Sequence, residues 1–155
     1  MTLYDYDSNI RGLLYQFKGC YDVELANLFL SKYKWGLHML YQNYVIVPAP
    51  SLKEDNEKRG FNHVQKIFEN INLPIKNIIT KKGSFKQTKN TKKERKNIKK
   101  HLFLEDAESI RGKKVLIVDD VYTTGSTMKS LIALVKECKP KKIRFLVMSK
   151  TIRDH

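Results

Sequence analysis

Val115-Leu-Ile-Val-Asp-Asp-Val-Tyr-Thr-Thr-Gly-Ser-Thr127 is the stretch that decides how this chain folds. With Lys114 before it, the apolar run to Val118 has strand length and no polar alternation, the pattern of a strand covered on both faces of a parallel sheet. Two acids, Asp119 and Asp120, follow at its carboxyl end, where open α/β sheets place their ligands. A turn of hydroxyl residues around Gly125 then opens into a helix, marked by Met128, Leu131, Ile132 and Val135 at i, i+3, i+4, i+7 spacing. Unpaired N–H groups at the start of a helix, aided by its dipole, attract anions. Thr123, Thr124, Ser126 and Thr127 add hydroxyl donors, and Gly125 lets the backbone come close. Such a layout asks for a ligand with hydroxyls at one end and a phosphate at the other. A ribose 5-phosphate meets that demand, with its 2′ and 3′ hydroxyls on the carboxylates and its phosphate in the turn.

Outward from this stretch, Pro140 stops the helix and Ile143 to Met148 reads as the next strand. Upstream, Ser8 is the expected N-cap of a helix carrying Ile10, Leu13, Leu14 and Phe17. Asp22 is the expected cap of a second helix with Leu25, Leu28 and Phe29. Tyr44 to Val47 reads as a buried strand stopped by Pro48-Ala-Pro50. Val64, Ile67, Phe68 and Ile71 mark another amphipathic helix, and Asn77 to Thr80 a short strand. Thr91-x-x-Glu94 has capping-box spacing. Strands alternating with helices of about a dozen residues imply right-handed crossovers. The expected class is α/β, doubly wound, with a mostly parallel sheet flanked by helices.

The chain has 155 residues, which suggests a single domain over 1–155. A chain of that length buries roughly 70% of its unfolded surface, so it needs no disulfide or metal staples. Hydrophobic residues at 41% and charged residues at 30% exclude a wholly disordered protein. No apolar run approaches the ~20 residues that cross a bilayer, and the acidic start lacks a secretion signal. A soluble cytoplasmic protein is expected. Cys20 and Cys138 form no C-x-x-C, and His38, His63, His101 and His155 are scattered, so no structural zinc is expected in this chain.

The net charge of +14 is concentrated, because positions 81–100 hold nine Lys, Arg95 and a single acid, Glu94, and so carry +9. Phe85 is the only large apolar residue there before Ile98. A segment of that composition buries no face and is expected to be a mobile basic loop over about 81–97. It serves either as a solubilising surface or as a clamp for a polyanion, a pyrophosphate or a nucleic-acid backbone. Lys81, Lys82, Lys86, Lys92 and Lys93 are the nucleic-acid candidates.

Three other readings of Asp119-Asp120 compete. A Walker B strand would need a partner Gly-x4-Gly-Lys loop, which the sequence lacks. A response-regulator acidic pocket would leave the Thr-Thr-Gly-Ser-Thr turn unexplained. Plain strand–turn–helix punctuation stays open. The full stretch resembles the phosphoribosyl-diphosphate signature of type I phosphoribosyltransferases. Val47-Pro-Ala-Pro50 followed by Arg59-Gly-Phe-Asn62 resembles the ComF family of competence proteins. Gln87, Glu94-Arg95 and Asn97 resemble that family's flexible loop, and Gln16-Phe-Lys-Gly-Cys-Tyr-Asp22 its early phenylalanine–lysine segment. The resemblance runs from about Tyr4 to the end of the chain.

The resemblance implies a type I phosphoribosyltransferase-like fold that binds phosphoribosyl diphosphate. Asp119 and Asp120 hold the ribose diol, with Val121 among the substrate-binding residues and Tyr122 either against the sugar or in apolar packing. Thr123, Thr124, Gly125, Ser126 and Thr127 take the 5-phosphate. Pro48, Arg59, Gly60, Asn62 and Arg95 face the pyrophosphate, and Mg2+ arrives with the diphosphate rather than in a protein cage. Arg95, Asp119 and Asp120 are the implied catalytic residues of pentosyl transfer to an unidentified acceptor. Partners implied by the competence likeness are single-stranded DNA and other competence proteins. The alternative is a non-catalytic single-stranded DNA-binding module that retains the pocket. The chain departs from the family in three respects. It lacks the four-cysteine zinc module, so a truncated or naturally minimal form is expected. Asn90 stands where an apolar residue is usual. Thr123 replaces the general-base aspartate of purine-salvage relatives. His63, beside the Arg-Gly-Phe-Asn box, reads as a helix-surface residue ahead of a site role.

Overall fold

The computed structural model describes residues 1–19, 24–52, 56–57, 60–81 and 102–151. Four parallel strands form the central sheet: β1 (Thr2–Asp5), β2 (Tyr44–Pro48), β5 (Lys114–Tyr122) and β6 (Lys142–Lys150), in the order β1-β6-β5-β2. The helices are α1 (Ser8–Gly19), α2 (Leu25–Leu30), α3 (Lys34–Tyr41), α4 (His63–Phe68) and α5 (Ser126–Glu137). A separate antiparallel ribbon pairs β3 (Ile79–Lys81) with β4 (Leu102–Leu104).

Strand periodicity divides the core. Leu116 and Val118 face one layer with Leu146 and Met148, packed against α1 to α4 through Phe17, Phe29, Leu37 and Ile67. Val115 and Ile117 face the opposite layer, against Met128, Leu131 and Val135 of α5. β5 lies between β2 and β6, with Val47 opposite Ile117 and Val118 opposite Leu146, and Val115 to Val118 are fully buried. The unbroken apolar run has the cause expected from sequence, because both faces are covered.

Several local expectations needed adjustment. Asp7, one residue before Ser8, caps α1: its Oδ1 accepts the Ile10 N–H at 2.8 Å. In α2, Leu28 is exposed and Leu30 is buried, so the inward face is Ala26, Phe29 and Leu30. The strand expected at Asn77–Thr80 begins two residues later. β5 runs on through both acids to Tyr122 before the chain turns. The expected helix over Val64 to Ile71 is an α-helix finished by a 3-10 turn, Glu69–Ile71. Asp22 and the Thr91–Glu94 cap lie outside the described residues.

Candidate functional site

The strand ends of β2 and β5 open onto a cavity of about 300 Å3, lined by Pro50, Ser51, His63, Lys81, Asp119, Asp120 and Thr127 among others. The acids reach it from opposite sides of one backbone. Asp120 is buried and Asp119 half-buried. The Asp120 carbonyl is fixed by the buried Ser149 hydroxyl, which donates to it at 3.1 Å. Asp119 Oδ1 accepts the Asp120 N–H at 2.9 Å, and Asp120 Oδ1 accepts the Val121 N–H at 2.8 Å.

Long-range contacts then separate the two carboxyls. Asp120 Oδ2 meets the Lys18 ammonium from the last turn of α1 and lies 3.3 Å from His63 Nε2 at the start of α4. Burial alone would raise the Asp120 pKa, but the His63 hydrogen bond and the Lys18 charge outweigh it and hold the group well below the usual carboxylate range. Asp119 is pushed well above that range, first by burial and then by the neighbouring Asp120 charge. The two neighbouring carboxyls are thus shifted in opposite directions.

The turn is built locally. Gly125 has φ 74°, a left-handed conformation that favours glycine, and a methyl there would overlap the Tyr122 hydroxyl. Tyr122 packs over the turn and against the α5 layer. Thr124 Oγ1 and Ser126 Oγ lie 2.8 Å apart, while Thr123 and Thr127 are exposed at the rim. The Ser126 N–H donates to Thr124 Oγ1 at 3.4 Å, and the other first-turn N–H groups of α5, which lack partners inside the helix, lie beside them.

Of the residues expected from sequence, Asp119, Asp120, Val121 and Thr127 line this cavity, and Tyr122, Thr123, Thr124, Gly125 and Ser126 form the adjoining turn. Pro48 and Asn62 line a neighbouring cavity of about 560 Å3, which shares Pro50, Ser51 and Lys81 with the first. Asn62 acts locally, since its Oδ1 accepts the Val64 and Gln65 N–H groups at 3.0 and 3.2 Å and so caps α4. Gly60 is exposed with φ 75°. Lys81 reaches both cavities, whereas Arg59, Lys82, Lys86, Lys92, Lys93 and Arg95 lie outside the described residues. The surface role expected for His63 is corrected: its side chain is only 12% exposed and touches Asp120, and its Nδ1 lies 3.1 Å from Ser51 Oγ. Lys18 carried no sequence signal beyond the phenylalanine–lysine segment. Among the described residues no cluster of three or more His, Cys, Asp or Glu is arranged to hold a metal, and no helix is long and apolar enough to cross a membrane.

The parallel sheet, the two acids at the carboxyl end of its inner strand β5 and the glycine turn into α5 define a phosphoribosyltransferase domain. The phosphoribosyl transferase domain model matches residues 57–153, and the chain belongs to that family. Within it the chain is similar to ComFC competence proteins. Competence protein ComFC of Bacillus subtilis is 31% identical over 129 residues, covering 82% of this chain and 53% of that protein. ComFC of Streptococcus pneumoniae is 25% identical over 143 residues, covering 92% of this chain and 64% of that protein. The chain thus spans between half and two thirds of the length of these relatives. A hypoxanthine phosphoribosyltransferase from Staphylococcus aureus shares the fold at a TM-score of 0.51 and 16% identity, covering 86% of this chain and 76% of that one.

Proposed function

We propose that the domain binds phosphoribosyl diphosphate, or ribose 5-phosphate, across the carboxyl ends of β2 and β5. The pentose diol lies at the acid pair, and the 5-phosphate rests on the hydroxyls of 123–127 and the first-turn N–H groups of α5. The observation that carries this reading is the opening of Asp119, Asp120 and Thr127 onto one cavity. The diphosphate lies on the β2 side, toward Pro50, Ser51 and Lys81. In pentosyl transfer the bond from C1 to the diphosphate breaks as an acceptor approaches from the opposite face. The chain contributes position and charge there rather than a covalent nucleophile. Magnesium enters as part of the diphosphate substrate. The donors present suit that arrangement, since Asp120 is already held by Lys18 and His63.

Calorimetry with magnesium phosphoribosyl diphosphate tests the reading. Saturable one-site binding is expected, displaced by ribose 5-phosphate and far less well by unphosphorylated ribose. Equal displacement by both sugars would contradict it.

A second reading is favoured by the +9 carried between positions 81 and 100 and by the competence names of the ComFC relatives. In it the domain handles single-stranded DNA during natural transformation. A salt titration with an oligonucleotide decides: phosphate-backbone binding weakens steeply with salt, and a flat slope would remove this reading.

A further inference from the structure

Asp120 is the most heavily held side chain at the site, and its partners come from separate parts of the chain. Oδ1 accepts the Val121 N–H at 2.8 Å, while Oδ2 takes the Lys18 ammonium and lies 3.3 Å from His63 Nε2. Each partner is itself placed by packing. Phe17, fully buried, packs edge-to-face against Phe29 and tilted against Phe61 at ring separations of 5.6 and 5.7 Å, which fixes the last turn of α1 beside the strand end. Asn62 caps α4 and so sets the residue that follows it, His63. Ser51 steadies the far side of that imidazole. Both Asp120 oxygens thus carry protein donors, whereas Asp119, half-buried on the cavity wall, receives the Asp120 N–H on its Oδ1.

Adjacent carboxylates in a partly dry site repel, and without added charge one of them takes up a proton. Two donors on one member, the Lys18 ammonium and the His63 ring, remove the ambiguity about which. We propose that Lys18 and His63 are positioning residues of the pentose site, clamping Asp120 as a fixed anion and leaving Asp119 as the carboxyl that engages the ligand diol. The inference rests on the pentose-phosphate reading above and extends the site to α1 and α4. Among the described residues, the charged or titratable groups around the cavity are Asp119 and Asp120 on β5, Lys18 on α1, His63 on α4 and Lys81 on β3.

The test combines carbon-13 NMR titration of the Asp120 carboxyl with calorimetry, using the full chain and the variants Lys18→Met, Lys18→Arg and His63→Gln. Lys18→Met is expected to raise the Asp120 midpoint by about one pH unit or more. It is also expected to weaken ribose 5-phosphate about tenfold. Inorganic phosphate, which needs only the turn, should change by less than about twofold, on the same scale of one lost charged hydrogen bond. Lys18→Arg should recover most of both effects. An unmoved Asp120 midpoint in Lys18→Met, or equal losses for phosphate and ribose 5-phosphate, would overturn the proposal. If Lys18→Met fails to fold, His63→Gln carries the same two readouts with the same expected directions. If the wild-type chain takes up no pentose phosphate, the pentose reading falls by itself, and the titration still decides the clamp.

Discussion

The two faces of the central sheet end differently at the tip of β5. On the α5 face the chain builds a cup from near neighbours in sequence, Asp119 and Tyr122 to Thr127, using backbone turns and short hydroxyl side chains. On the α1–α4 face nothing local suffices, and Asp120 is completed by Lys18, which is 102 positions away in the sequence, and by His63. The first arrangement is set by local conformational preference. The second exists only once four helices have packed. Sites of this kind therefore join a part that forms with the strand to a part that depends on the whole fold.

Removing the carboxyl that faces the ligand should have the largest effect. Asp119→Asn is expected to weaken ribose 5-phosphate about 100-fold by calorimetry, the upper range for charged hydrogen bonds. A loss no greater than that for inorganic phosphate would erase the distinction between acids and cup. Next, Gly125→Val forces a branched side chain into a left-handed conformation and into Tyr122. A destabilisation of about 2 kcal/mol is expected in denaturant titration, together with a loss of phosphate affinity. Asn62→Ala removes the α4 cap and should lower stability by about 1 kcal/mol. It should disturb the Asp120 side through His63 while leaving phosphate binding to the cup intact.

Proton linkage sharpens the comparison further. The folded-state pKa of Asp120 is depressed, so its stabilising contribution is present above the unfolded value of about 4 and is lost as pH falls through the folded value. Asp119 has the opposite sign. Its folded-state pKa is raised, so its contribution is full below the unfolded value and is lost as pH rises through the folded one. In the ligand-free chain, Asp119→Asn should therefore gain stability at pH 8, and the gain should vanish near pH 4. Asp120→Asn should lose stability at pH 8, with the loss shrinking toward acid. Thermal unfolding across that range measures both, and parallel pH profiles for the two variants would show the acids to be equivalent.

The cup was legible in the sequence because every residue in it is a near neighbour and the conformational demands are carried by residue type. The same holds for the buried strands, whose apolar runs needed no tertiary context. β1 was not read, since Thr2–Asp5 is a four-residue edge strand with mixed polarity. α3 was not read either: Gly36 interrupts it, and Trp35, Met39 and Leu40 are exposed, so the apolar residues trace no single inward stripe. The Lys18–Asp120–His63 contact was illegible for a different reason. A lone lysine and a lone histidine carry no spacing signal, and only the packing of Phe17 and the Asn62 cap brings them to the strand end.

The most direct test of the shared site is a crystal structure of the chain with ribose 5-phosphate. The 2′ or 3′ hydroxyl is expected within hydrogen-bond distance of the Asp119 carboxyl, and the phosphate on the N–H groups and hydroxyls of 124–127. A phosphate bound away from that turn, or a sugar whose hydroxyls contact neither acid, would contradict the shared site.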